Sequence, residues 1–287
     1  MSGGRGILRD GRATFGLAVL GVAVLAALCA PWLAGDPLLQ RDVVATRFLP
    51  PLSSDPYGQF HLLGTDRFGR DVWARLIFGA RLSLGVGVLA VLVSVAVGVA
   101  IGAAAGYWRG WAGVLLLGVT DFALALPRVV LLLLLASLWQ PSAALVVLVL
   151  GLTGWMTIAR LVHVEVRTLA TRPYVESAIG LGARPSRVLV RHILPNALTP
   201  VIVASALGLG NAIMLEAGLS FLGLGVQPPA PSWGNLIASG RDTLVNAPWV
   251  ATAPGIALVL VVVAATLLGD AVRDRFDPAR RAAAGTS

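Results

Sequence analysis

The residues able to do chemistry in this sequence are few, and their densest grouping is the stretch 172–200, RPYVESAIGLGARPSRVLVRHILPNALTP. Glu176 and the arginines at 172, 184, 187 and 191 give it a charged fringe. Tyr174, Ala178 and Leu181 recur at helical spacing along one face of a short helix over 174–181. Gly182-Ala183-Arg184-Pro185 ends that helix, because Gly tolerates a reversed backbone and proline disfavours helix at the residue before it. Pro185 opens a second helix as its first residue, with Val188, Leu189, His192 and Ile193 making a side for it. Leu194, Pro195 and Pro200 then lead into the next apolar run. The chemistry on offer is contact: a bent helix pair with an apolar ridge, standing off a larger body and shaped for a partner.

Nothing in the chain forms a catalytic set. No Cys/His cluster has metal-ligand spacing and no glycine-rich phosphate loop of the P-loop type appears, so neither metal nor cofactor is expected on this chain. The single Cys29 excludes an internal disulfide. Four further polar residues stand inside apolar runs: Asp121, Arg128, Asn211 and Glu216. They are candidates for a transport pathway or a subunit interface. Asp121 and Arg128 are seven residues apart and so share one side of a continuous helix. Either both face a bundle interior or water, or they are an interfacial aspartate and a snorkelling arginine.

The elements that must position these residues are membrane helices. The chain is 57% hydrophobic and 13% charged, with uncharged runs longer than a soluble domain carries. Its net charge of +8 comes from arginine alone, clustered at the ends of apolar runs. That is membrane-flank behaviour and argues against nucleic acid as a partner. Residues 1–12 read as a polar tail, and 13–35 as a first span rather than a signal peptide, whose apolar core would be shorter. A mixed-charge connection with an interfacial helix occupies 36–81. The second span, 82–108, carries Gly98, Gly102 and Gly106 on one face, where small residues let another helix approach closely. A third span runs over 112–138, kinked at Pro127, and a fourth over 142–159. The polar loop 160–197 follows, then a fifth span over 198–222, a short surface helix over 232–245 and a sixth span over 247–269. The spanning core as a whole is 82–272, and 273–287 is a basic tail.

Three segments carry a resemblance. Glu176-Ser177-Ala178, then Gly182, then Leu194-Pro195 resembles the EAA loop of ABC-importer permeases, E-A-A-x3-G-x9-I-x-L-P, with Ser177 and His192 departing from it. Residues 64–84, GTDRFGRDVWARLIFGARLSL, are similar to the GTDxxGRDVxSRLIxGARxSL signature of dipeptide, oligopeptide and nickel permeases. Residues 219–235 are similar to the LSFLGLGVQPPxPSWGN stretch of the same group. The resemblance implies an all-α integral membrane subunit with six spans of the MetI-like type I importer kind, and places ATPase coupling at Tyr174, Glu176, Ser177, Ala178, Leu181, Gly182, Ala183, Arg184, Leu189, Leu194 and Pro195. It further implies a second related permease, two cytoplasmic ATPases that bind ATP and Mg, and an extracytoplasmic solute-binding protein. The expected cargo is a peptide, with nickel and other small solutes left open.

Topology supports the same arrangement from a separate direction. With six spans and both termini inside, fourteen arginines fall on the cytoplasmic side and seven outside. That puts the 160–197 loop where an ATPase would be. A secondary transporter would instead show internal repeats and broken-helix sites, and no repeat is evident. A membrane scaffold would need the loop but not the polar residues at 211 and 216.

Overall fold

The computed structural model describes residues 10–108 and 110–276. Arg5, Arg9, Arg109, Arg280 and Arg281, which enter the arginine distribution above, lie outside the described residues.

Helix α1, Gly11–Leu28, starts at Asp10, whose carboxylate accepts from the Arg12 backbone N–H at 2.9 Å. A short turn, α2 over Ala30–Leu33, continues it past Cys29. The connection that follows is folded rather than open. It holds α3, Val43–Thr46, and a two-stranded antiparallel hairpin, β1 Ser53–Ser54 with β2 Phe60–His61, registered Ser53 to His61 and Ser54 to Phe60. A buried charge network closes it. Arg70 meets Asp66 at 2.7 Å, Arg75 lies 3.7 Å from the same carboxylate, and His61 Nδ1 sits 2.6 Å from Asp71.

Asp71 also caps α4, Val72–Tyr107, by accepting from the Ala74 N–H at 2.7 Å. This helix corrects an expected boundary. The interfacial helix before residue 82 and the second span are one continuous helix of 36 residues. In its first turns Arg75 lies 3.7 Å from Asp66 and donates to the Pro37 carbonyl at 3.4 Å, while its Nε is buried without a hydrogen-bond partner.

The third span departs further. Helix α5, Trp111–Ala125, and α6, Arg128–Ser137, are bent by 89° across Leu126-Pro127. Leu126 takes the extended backbone that a following proline favours. Helix α7, Ala143–Leu169, is N-capped by Ser142 and runs ten residues beyond the expected end at 159, taking in about the first quarter of the expected loop. Then come α8, Pro173–Gly180, and α9, Pro185–Val188. A π-helical turn at Leu189–Ile193 joins α9 to α10, Leu194–Phe221, so the fifth span begins well before Leu198. The widened turn holds Arg191, the residue whose carbonyl Pro195 cannot bond in the regular ladder, whereas Pro200 sits inside α10 itself. Helix α11, Trp233–Arg241, opens with a reciprocal capping box between Ser232 and Asn235. Helix α12, Trp249–Phe276, ends the described chain.

Among the described residues, five helices are long and apolar enough to cross a membrane, and the bent α5–α6 pair makes a sixth crossing if counted as one span. The longest seam joins α4 to α7, with α10 across both; α1 packs on α12 and α12 on α10. Arg12 reaches Asp274 at 3.0 Å, so the first and last spans are fastened at the same end.

Candidate functional site

Two places collect the polar and glycine residues of interest: the elbow between α8 and α9, and the middle of the bundle.

At the elbow, Gly182 takes φ +79°, a left-handed conformation that only glycine adopts without strain. Its N–H donates to the Ile179 carbonyl at 2.9 Å and Ala183 donates to Ala178 at 3.1 Å, which closes the end of α8. An added Cβ at Gly182 would meet nothing within 4 Å, so the requirement is one of backbone and not of space.

The anchored face of α8 differs from the expected one. Val175, which the Tyr174/Ala178/Leu181 stripe passes over, is the fully buried residue. It packs in one cluster with Val188, Ile193, Val162, Val166 and Ala197. Each wholly buried valine contributes about 1.5 to 3 kcal/mol, so α8 is clamped to α7 and to the root of α10. Tyr174 is exposed and Leu181 is 89% exposed, while Ala178, Ala183, Leu189 and Leu194 are half-buried. Ile179, outside the expected ridge, is also exposed. Ser177 donates to the Pro173 carbonyl at 2.9 Å. Glu176 lies in the first turn of α8, where a carboxylate favours the helix dipole, and Arg184 and Pro195 are exposed. Behind the elbow, a cleft of about 800 Å³ runs between the ends of α4 and α7, the start of α5, and α8; Glu176, His163 and Arg167 line it.

In the bundle, the three glycines of α4 lie against α7. A Cβ at Gly98 would come within 2.7 Å of the Trp155 carbonyl. One at Gly102 would strike the Ala159 carbonyl, and one at Gly106 would reach the His163 carbonyl at 2.9 Å. The seam is therefore backbone against backbone.

The four intramembrane polar residues separate into three environments. The 89° bend removes the common helix face expected of Asp121 and Arg128. Asp121 is half-exposed on α5 and pairs with Arg160 of α7 at 3.5 Å. Glu216 is 0% exposed and lies inside the protein's own core, neither at an outward face nor on the central cavity. Ser220 donates to its Oε1 at 2.7 Å, the Ser83 and Ser232 hydroxyls face it, and the Val226 N–H donates to Ser220 Oγ at 3.0 Å. These groups bring α10 against α4 and the chain before α11, while Glu216 Oε2 is buried without a hydrogen-bond partner. Arg128 and Asn211 do come together, lining a cavity of about 260 Å³ between α4, α7 and α10, with Ser94, Thr157 and Ser205. The serines and threonine carried no sequence signal, since single hydroxyls are common in spans.

Against known families, residues 98–282 match the family described as binding-protein-dependent transport system inner membrane component. The chain belongs to this family. The permease is 44% identical over 260 residues to a probable peptide ABC transporter permease protein of Sinorhizobium fredii, covering 91% of this chain and 86% of that one. It is 39% identical to the di/tripeptide transport system permease protein of Pseudomonas aeruginosa, over 94% of this chain and 88% of the relative. It is 34% identical to the dipeptide transport system permease protein of Alkalihalophilus pseudofirmus, over 93% and 85%. Among solved structures, a chain of the MetNI methionine ABC transporter in inward-facing conformations aligns with a TM-score of 0.54 at 21% identity, covering 69% of this chain and 94% of that one. That likeness concerns the fold. The permease is thus a multi-pass inner-membrane component of an importer, a transport subunit rather than an enzyme.

Proposed function

We propose that this permease moves di- or oligopeptides inward, forming the pathway with a second related permease. Two ATPases dock on the α8–α9 elbow, and an extracytoplasmic solute-binding protein delivers the cargo. ATP and Mg bind to the ATPases and hydrolysis occurs there. Both termini and the elbow face the cytoplasm in this reading, which the arginine distribution supports. The peptide assignment is supported by the names of the relatives, which cover nearly the whole chain.

The observation that carries the mechanism is the division of labour on α8. One side is clamped through Val175 to α7 and α10, while the tip at Ile179, Leu181 and Gly182 is exposed and apolar. A load applied at the tip reaches the spanning helices without slack, and closure of the ATPase pair tilts them as rigid bodies so that the cavity changes side. Tyr174, Glu176, Ser177, Ala178, Leu181, Gly182, Ala183, Arg184, Leu189, Leu194 and Pro195 form or support this contact. The test is reconstitution of the permease in proteoliposomes with a second permease, ATPases and a solute-binding protein of the same transport system. ATP-dependent accumulation of a labelled dipeptide or tripeptide is expected. ATPases that fail to co-purify, or ATP-driven uptake of a non-peptide solute alone, would sink the proposal.

A further inference from the structure

We propose that the central cavity is a carboxylate-binding station for the transported substrate, with the Arg128 guanidinium as its anion contact and the Asn211 amide beside it. The peptide reading above supplies the substrate class, since a linear peptide ends in a carboxylate.

Four observations support this assignment. Arg128 is the only charged residue lining the cavity among the described residues. It forms no ion pair with a described carboxylate, and its Nε is buried without a hydrogen-bond partner. An unpaired charge at this depth is costly and marks a functional position. Secondly, Arg128 is the first residue of α6, preceded by Pro127 and without a side-chain cap. The positive end of α6 disfavours a guanidinium on its first residue, so Arg128 gains from an anion beside it. Thirdly, Gly154 of α7 makes room. A Cβ there would fall 3.5 Å from Arg128 Nη2 and against the Ser94 hydroxyl. Fourthly, the cavity has donors to spare. Ser94 and Ser205 donate to the Gly151 and Val201 carbonyls, at 3.1 and 2.7 Å, but the Asn211 side chain makes no hydrogen bond to another described residue.

Two blander roles fit less well. Snorkelling needs a nearby helix end at the membrane surface, whereas the cavity is lined from the middle of α4, α7 and α10. Internal pairing needs a carboxylate within reach, yet Asp121 pairs with Arg160 across the bend and Glu216 does not line the cavity. A planar guanidinium meets a carboxylate through two parallel N–H···O bonds, which a primary amide cannot reproduce as an acceptor. The station therefore distinguishes a free C-terminus from an amidated one.

The test uses the complete reconstituted transporter and two probes, dialanine and its C-terminal amide. Comparing variants on one binding protein cancels that protein's own preference. The acid-over-amide uptake ratio of the wild type is expected to fall about tenfold or more in Arg128→Gln, the factor that one charge-assisted hydrogen bond supplies. Asn211→Leu should lower it severalfold and Arg128→Lys should retain part of it. A second arm omits transport. N-acetylalanine, but not its amide, should raise the thermal midpoint of the permease–ATPase complex, and Arg128→Gln should abolish the difference. Equal loss of both probes in Arg128→Gln, an unchanged ratio, or dissociation of the second permease would assign Arg128 to structure or an interface and overturn the proposal. So would a wild-type complex that the acid does not stabilise. If the wild type takes up neither peptide while acid-specific stabilisation holds, the peptide reading fails and the carboxylate station stands.

Discussion

Replacing Gly102 by alanine adds one methyl group at the tightest point of the α4–α7 seam. The new Cβ would overlap the Ala159 carbonyl and stand 2.8 Å from Val162 Cβ. Backbone cannot swing aside as a long side chain does, so the helices must part by roughly half an ångström to an ångström. A gap of that size forfeits about a quarter to a half of each dispersion contact it opens. The loss spreads to Gly98 and Gly106, which press on the Trp155 and His163 carbonyls on either side. Overpacking of this kind costs about 1 to 3 kcal/mol, against a gain of about 1 kcal/mol for alanine over glycine within a helix. The net expectation for Gly102→Ala is about 0 to 2 kcal/mol of destabilisation. Gly85 lies in the same helix, and a Cβ there meets nothing within 4 Å. Gly85→Ala should therefore stabilise, by up to about 1 kcal/mol. Unfolding of the two purified variants by sodium dodecyl sulfate, in one mixed-micelle series beside the wild type, reads the sign directly. A Gly102→Ala midpoint at or above that of Gly85→Ala would refute backbone-to-backbone packing of the seam.

Gly182→Val meets no clash and suffers only its φ of +79°, a strain of about 1 to 3 kcal/mol, so insertion and permease pairing should persist while ATPase co-purification falls about tenfold. Glu176→Lys should act in the same direction, and full attachment with full substrate-stimulated hydrolysis in both variants would remove the elbow from the coupling path. Glu216→Leu strips the buried acceptor from Ser220 and from the neighbouring Ser83 and Ser232 hydroxyls, costing about 1 to 3 kcal/mol, whereas Glu216→Gln should recover most of it; equal stability of Leu and wild type in the same detergent series would deny the carboxylate a structural role there. In a chain with Cys29 replaced by serine, cysteines at the exposed Ser54 and Asn246 should react with an impermeant thiol reagent on intact cells, and one at Ser186 only after permeabilisation. External labelling of the Ser186 position would invert the topology.

What the sequence discloses and what it withholds divide along range of interaction. The spans are legible because burial in lipid needs only length and apolarity, properties of a contiguous window. Their ends are not, because a helix continues past the membrane wherever distant groups satisfy its polar turns. Val72–Leu82 begins at the Asp71 cap with Arg75 reaching Asp66 and Pro37, and the last ten residues of α7 carry Val162 and Val166 into the cluster with Val175 and Ala197. Pro127 announces a break, but the 89° bend is fixed elsewhere, by Leu132 and Ala136 of α6 seating on Val146 and Leu150 of α7. A seven-residue spacing places Asp121 beside Arg128 only if the helix is continuous, and that premise fails at one residue.

The elbow shows the same limit at closer quarters. Gly182 is readable as a turn, since its need is local to one φ angle. The side of α8 that packs is not, because eight residues carry two apolar stripes, Val175 with Ile179 and Tyr174 with Ala178 and Leu181. Local spacing accepts either stripe. Val162 and Val166 of α7 receive Val175, and that long-range fit turns Leu181 outward. The exposed tip is therefore a consequence of how the core is filled, so a change at Val175 should disturb ATP-driven transport as surely as one at Leu181. The two should nevertheless differ in kind. Val175→Ala leaves a cavity in the clamp and loosens transmission of a load that still binds, whereas Leu181→Ala removes contact area and weakens binding itself. ATPase co-purification against uptake per ATP hydrolysed separates them: attachment near normal with poor coupling for Val175→Ala, and reduced attachment for Leu181→Ala. Identical phenotypes would mean that α8 acts as a single adhesive surface and that the clamp to α7 transmits nothing.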